Sequence, residues 1–306
     1  MTEIDLPRGY RAEYPLRYFG RDAESLSERV EGNRITKAFV VDGRPKVVTI
    51  EIGKGSARVV LGSSGSSVPR SSSGGRRTRT AEEPRGTRGT EELRGTVLRM
   101  LGLHHDPAPF ERRIARDRKL APLIEGRRGL RIPMTPTVFE GIVWAIVGQQ
   151  VNLAFAYKLR RVVTELAGTR VSTLIAHPDP AAVAKLDYGD LTARQFSRRK
   201  AEYLIDTARQ IASGSLDVEA MPGGNAEEVF ARLVAIRGFG EWTANYVMMR
   251  ACGFADCVPY GDSGLAAGLR QFFALEAKPT REETAELMAP FAPYRSLATF
   301  HLWNLA

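Results

Sequence analysis

Sulfur and imidazole are scarce in this chain of 306 residues, which holds two cysteines and four histidines. Cys252 and Cys257 lie in a stretch that otherwise reads as a helix end and a loop. Their spacing suits neither a zinc nor an iron–sulfur set, and both read as packing residues. His104, His105, His177 and His301 form no spaced ligand set, and H-E-x-x-H is absent, which argues against a catalytic metal. Long apolar runs are missing too. The run from Gly141 to Val147 falls far short of the roughly 20 residues that span a bilayer, and Met1-Thr2-Glu3-Ile4-Asp5 is polar and acidic with no apolar stretch behind it. No membrane partner is expected, and the protein reads as soluble and cytoplasmic. No internal repeat occurs.

Positive charge is what the chain has in excess. Lysine and arginine outnumber aspartate and glutamate by 44 to 35, a net +9 that attracts polyanions over a long range. The length allows a sizeable core and two or three subdomains. Thr36 to Gly43, Lys46 to Ile52 and Ala57 to Leu61 are β-rich runs separated by turns, which predicts an antiparallel sheet. A helix is expected before it, over 22–30, and another after it, over 91–103, with Leu93, Val97, Leu98 and Leu101 facing the sheet. Between sheet and helix, 62–90 is rich in Ser, Gly, Arg and Thr and nearly devoid of large apolar side chains, the composition of a disordered insertion. Its arginines, among them Arg76, Arg77 and Arg79, give it either a sequence-independent grip on a polyanion or no role beyond solvation. From Phe139 the period becomes helical: Phe139, Ile142, Val143, Ile146 and Val147 form one stripe, and further runs follow at 181–186, 201–212 and 229–236.

The richest segment is Leu233-Val234-Ala235-Ile236-Arg237-Gly238-Phe239-Gly240-Glu241-Trp242-Thr243-Ala244-Asn245-Tyr246, followed by Val258-Pro259-Tyr260-Gly261-Asp262-Ser263. A helix that ends at Gly238-x-Gly240 and restarts at once presents unpaired N–H groups and a dipole end, a site for phosphate. Asp262 stands where it would cap the next helix.

This pattern resembles the helix-hairpin-helix DNA glycosylases, and within them the 3-methyladenine DNA glycosylase II family. Phe139 to Val151 is similar to that family's opening helix, Phe196 to Ala201 to its central one, and Pro293-Tyr294-Arg295-Ser296 with His301-Leu302-Trp303 to its closing one. The resemblance implies an α+β chain: an N-terminal antiparallel-sheet subdomain like the TATA-binding protein over 1–105, then an all-α glycosylase domain over 106–306 with its hairpin at about 229–250. It implies a monomer acting on double-stranded DNA that contains damaged bases, in the nucleoid.

The family's catalytic aspartate falls on Asp262, where a carboxylate stabilises positive charge developing on the sugar; Asp256 is its nearest rival. Base-pocket roles fall on Gln149, Trp242, Tyr246 and Tyr294, the last in place of a tryptophan. The wedge that fills the vacated stack falls on Gln150, where the family commonly has an apolar residue. Phosphate contacts fall on Gly238, Gly240, Trp242 and Thr243, with Arg198, Arg199 and Lys200 either joining them or forming a solvated helix face. Backbone carbonyls of Val234, Ile236 and Phe239 would hold a Na+ or K+ ion; no cofactor is required, and the four-cysteine iron–sulfur loop of some relatives is not expected. Members that also cut the strand carry a lysine after the hairpin turn, where this chain has Trp242, so hydrolysis alone is expected. A glycosylase for uracil, hypoxanthine or an oxidised purine, and a non-catalytic binder of damaged DNA, remain as alternatives.

Overall fold

The computed structural model describes residues 2–41, 43–62 and 85–305, with backbone alone for 41 and 85–90. In chain order its elements are β1 (Thr2–Asp5), α1 (Glu13–Gly20), β2 (Glu28–Glu31), β3 (Arg34–Val41), β4 (Arg44–Ile52), β5 (Ser56–Leu61), α2 (Arg85–Met100), α3 (Ala108–Ile114), α4 (Val138–Val147), α5 (Leu153–Ala167), β6 (Thr169–Val171), β7 (Leu174–Ala176), α6 (Pro180–Val183), α7 (Tyr188–Thr192), α8 (Arg198–Ala212), α9 (Ala226–Val234), α10 (Glu241–Val247), α11 (Ser263–Phe272), α12 (Arg281–Met288) and α13 (Arg295–Trp303). An antiparallel sheet precedes a mostly helical body, as the resemblance implies.

The sheet runs β1-β5-β4-β3-β2, every pair antiparallel. Alternation along the strands puts Ile35, Phe39, Val48, Ile50 and Val59 into one core with Phe19 of α1 and Leu93, Val97, Met100 and Leu101 of α2. The opposite face at Ala38 and Val47 receives Val171, Leu174 and Ala176 of the β6–β7 hairpin. That hairpin is the one strand pair in the helical body, and it docks by Ile175 N–H to the Leu26 carbonyl (2.8 Å) and His177 N–H to that of Ala38 (3.2 Å).

Two expectations for this half need correcting. No helix covers 22–30: α1 lies earlier, over Glu13–Gly20, and Glu28–Glu31 is an edge strand paired with Arg34–Lys37 across a two-residue Gly32-Asn33 turn. Pro15 is tolerated in α1 because first-turn N–H groups have no intrahelical acceptor. The helix expected over 91–103 starts at Arg85, so six residues of the stretch read as disordered continue it, while 63–84 lie outside the described residues.

In the helical body, α4 is buried along its whole length, Val138 to Val147, and not on one stripe. It is a central helix enclosed by α5, α8, α10 and the π-helical turn Met248–Cys252 that extends α10. Burying it on all sides also buries Glu140, which is compensated by ions on three other elements. Lys37 of β3 donates to Glu28 of β2 (2.5 Å) and to Glu140 (2.8 Å). Arg160 of α5 grips Glu28 with both terminal nitrogens (2.6 and 2.7 Å) and reaches Glu140 (3.1 Å). Cys252 and Cys257 are buried free thiols whose pKa values burial pushes up to about 12.

Candidate active site

The hairpin turn Ala235–Gly240 joins α9 to α10. Gly238 sits at φ 89°, and a Cβ there would lie 2.3 Å from Cδ2 of Tyr203, so both the left-handed backbone and the ring beneath it demand glycine. Phe239 N–H closes the turn on the Ile236 carbonyl (3.0 Å). Gln149, just past the end of α4, donates through Nε2 to the Gly238 carbonyl (3.0 Å) and to Thr243 Oγ1 (3.1 Å). Gln149 therefore braces the turn as well as facing the cavity. Thr243 is buried and its hydroxyl points inward, so only its backbone N–H is available to a phosphate.

Asp262 is the N-cap of α11, and its carboxylate gathers three donors from three elements. Oδ1 accepts Leu265 N–H (2.8 Å) and Trp303 Nε1 (2.8 Å); Oδ2 accepts Trp242 Nε1 (3.0 Å). Capping and a fixed orientation towards the cavity thus coexist. Trp303 reaches it because α13 lies hard against α11: a Cβ on Gly268 would meet the Leu302 carbonyl at 2.4 Å. Trp242 stacks on Tyr246 at 5.3 Å and 24°, and Tyr246 lies 6.2 Å from Trp303. Burial pushes the Tyr246 phenol up to about 12, which keeps it neutral at physiological pH.

These groups border a cavity of about 1210 Å³. Asp262, Trp242, Tyr246 and Trp303 share it with Trp144, Tyr157 and Arg21, and Gln149, Gln150, Arg199 and Lys200 also line it. Gln150 is exposed and holds φ 53°, a left-handed conformation rare outside glycine, which marks it as a placed residue at the rim. Lys200 donates to the Val147 carbonyl (2.7 Å), and burial lowers its pKa to about 8. Arg198 points elsewhere, paired with Glu202 (2.8 Å) and lying 4.7 Å from the Tyr188 ring.

Tyr294 is not brought to the site. It lies N-terminal to α13, outside the cavity lining, with its ring 6.3 Å from Phe110 and edge-on to it. The residue of the closing helix that does reach the carboxylate is Trp303, at the opposite end of α13. Asp256 is occupied structurally: Arg295 binds both its oxygens at 2.7 Å and donates its backbone N–H to Oδ1 (3.1 Å). Sequence reading gave no role to Arg21, Trp144, Tyr157 or Trp303. Trp303 sat in a quoted motif, but nothing in a single sequence joins it to an aspartate 41 positions earlier.

Among the described residues no cluster of His, Cys, Asp and Glu is arranged to hold a metal ion, and no helix is long and apolar enough to cross a membrane. Residues 143–293 match the family model described as HhH-GPD superfamily base excision DNA repair protein. The chain is 35% identical over 207 residues to a DNA-3-methyladenine glycosylase of Bacillus subtilis, which spans 66% of this chain and 68% of that one. It is 34% identical over 187 residues to DNA-3-methyladenine glycosylase 2 of Escherichia coli, spanning 60% and 63%. A solved 3-methyladenine DNA-glycosylase from Archaeoglobus fulgidus shares the fold with a TM-score of 0.81, at 24% identity and with 99% and 97% of the two chains covered. With its hairpin turn and capped aspartate inside the matched span, the chain belongs to the HhH-GPD superfamily of base excision DNA repair proteins.

Proposed function

We propose that this protein is a monofunctional DNA glycosylase that hydrolyses the N-glycosidic bond of alkylated purines, the 3-methyladenine and 7-methylguanine class, in double-stranded DNA. The observation that carries this reading is the Asp262 carboxylate, held by two indole N–H groups and one backbone N–H on the wall of an aromatic cavity. As the C1′–N bond breaks, its electron pair leaves with the base and positive charge builds on the sugar, where a fixed carboxylate is worth most. A water oxygen then bonds to C1′, and its proton passes to Asp262 or to solvent. The nucleotide must leave the stack to reach this carboxylate, with Gln150 at the rim to occupy the gap. The rings of Trp242, Tyr246 and Trp303 offer π faces that attract a cationic alkylated base.

The first turn of α10 and Gly240 would receive a phosphate of the bent strand. A Na+ or K+ ion on the carbonyls of Val234, Ile236 and Phe239 fits that turn, because the Ile236 carbonyl accepts one N–H and keeps a second lone pair. The ion would add positive charge beside the phosphate, and no step of base release depends on it.

The test is release of free 3-methyladenine and 7-methylguanine from methylated duplex DNA by the purified protein. No release, with tight binding to an abasic-site analogue, would replace this reading by that of a damaged-DNA binder. Two further outcomes follow. Borohydride added during turnover is expected to trap no protein–DNA adduct, since Trp242 replaces the Schiff-base lysine; a stable adduct would overturn the monofunctional assignment and direct attention to Lys200. Tyr294→Ala is expected to lower stability by about 1–2 kcal/mol through lost aromatic packing while changing release per folded molecule less than threefold. Melting curves and single-turnover release measured together decide it, and a tenfold loss of release without a change in melting temperature would put Tyr294 back on the base.

A further inference from the structure

Arg21, immediately after α1, enters the cavity from the sheet side of the molecule. Its guanidinium carbon lies 4.0 Å from the centre of the Tyr18 ring, 4.3 Å from Trp144 and 5.8 Å from Tyr157, so aromatic faces hold the plane of the cation. Its Nε is buried without a hydrogen-bond partner, and among the described residues no carboxylate pairs with it. The groups that act on its charge are the phenols of Tyr18, Tyr246 and Tyr157 and the cation of Arg160. A planar fork of donors with no protein acceptor, in a cavity it shares with Asp262, is unsatisfied until a ligand supplies oxygen or nitrogen lone pairs.

We infer that Arg21 is a specificity-determining residue that reads the acceptor edge of the extruded base and favours 6-oxopurines over 6-aminopurines. This rests on the glycosylase reading above. The O6 and N7 atoms of a 6-oxopurine are paired acceptors that a guanidinium meets with two parallel hydrogen bonds, as arginine does with guanine in duplex DNA. A 6-aminopurine places a donor where O6 would be, so one arm of the fork meets a like group. A cationic base such as 3-methyladenine is further disfavoured beside an uncompensated guanidinium, whereas neutral hypoxanthine is not. A backbone phosphate is a poorer occupant, because phosphates stay at the duplex surface and the Nε of Arg21 is closed from solvent among aromatic rings.

The test compares single-turnover release of hypoxanthine from a defined duplex with release of 3-methyladenine from methylated DNA, for wild type, Arg21→Met and Arg21→Lys. The ratio of hypoxanthine to 3-methyladenine release is expected to fall by about ten- to a hundredfold in Arg21→Met, the range for losing a charge-assisted hydrogen bond. Arg21→Lys, which keeps charge without the fork, is expected to fall between. Each preparation supplies both rates, so misfolding lowers both and leaves the ratio intact. An unchanged or higher ratio overturns the inference, as does an equal loss of both rates with weaker binding of every duplex, which would assign Arg21 to phosphate or to structure. Wild-type protein that releases neither base would instead sink the glycosylase reading itself.

Discussion

Asp262→Asn is expected to slow base release by about a thousandfold, roughly 4 kcal/mol of transition-state stabilisation, while the fold and the affinity for an abasic-site analogue survive. The substitution is nearly isosteric and asparagine is as good an N-cap as aspartate, so Leu265 N–H keeps its acceptor and α11 its start. The side-chain oxygen also retains Trp303 Nε1, but the amide nitrogen now faces Trp242 Nε1, donor to donor, where Oδ2 accepted at 3.0 Å. A stability loss of about 1–2 kcal/mol follows from that one unmatched pair. The negative charge is what disappears, and it is the charge that the developing cation on the sugar requires. Trp242→Phe separates the two effects: it keeps an aromatic face and removes one donor, and it is expected to cost about tenfold. Single-turnover release of methylated bases at saturating enzyme, with melting temperature measured alongside, checks both. Release by Asp262→Asn above a tenth of the wild-type rate would leave Asp262 as a helix cap and nothing more.

How much of this was legible in the sequence depended on how locally each contact closes. The hairpin turn, its glycines and Asp262 lie within one contiguous stretch, and backbone rules on glycine and N-caps read them directly. The α4 helix was legible as an element but not as a central one, because a ten-residue run buried on all sides differs little from a stripe until its neighbours are known. The α5 helix was not read: Lys158, Arg160 and Arg161 interrupt its apolar face, and Arg160 is buried through partners on β2 and α4. Lys37 hides in the same way on the apolar side of β3, between Ile35 and Phe39. The short strands β1 and β2 are polar at every second position and gain their identity only from pairing. In the site, Arg21 and Trp303 come from opposite ends of the chain. Such pairings leave no periodicity behind, which is why Tyr294, supported by motif alone, was placed on the base and Trp303 was not.

Arg160→Met is expected to destabilise the protein by about 3–5 kcal/mol at neutral pH, a drop in melting temperature on the order of 10 °C, although methionine fills much of the same space. The quartet Glu28, Lys37, Glu140 and Arg160 holds two positive and two negative charges, each side chain at most 6% exposed. In the wild type, attraction to Arg160 and Lys37 outweighs burial and keeps Glu28 well below, and Glu140 below, the usual carboxylate range; His177 also acts on Glu140. A depressed folded-state pKa adds stability that is complete above the unfolded value, roughly 4.3, and is lost as pH falls through the folded one, so wild type is insensitive to this quartet between pH 7 and 5. Removing Arg160 reverses the sign for one carboxylate. Lys37 can balance only one of the two, and the other, buried without a counter-ion, has its pKa raised and takes up a proton on folding. The variant then gains stability relative to wild type as pH falls from 7 to 5, and a penalty equal at both values would refute the argument. The quartet joins β2 and β3 to α4 and α5, and it is across this seam that Arg21 arrives in the cavity from the sheet side. A loosened seam therefore predicts a second effect: Arg160→Met, assayed well below its melting temperature, should shift the hypoxanthine to 3-methyladenine ratio in the same direction as Arg21→Met, although Arg160 does not line the cavity.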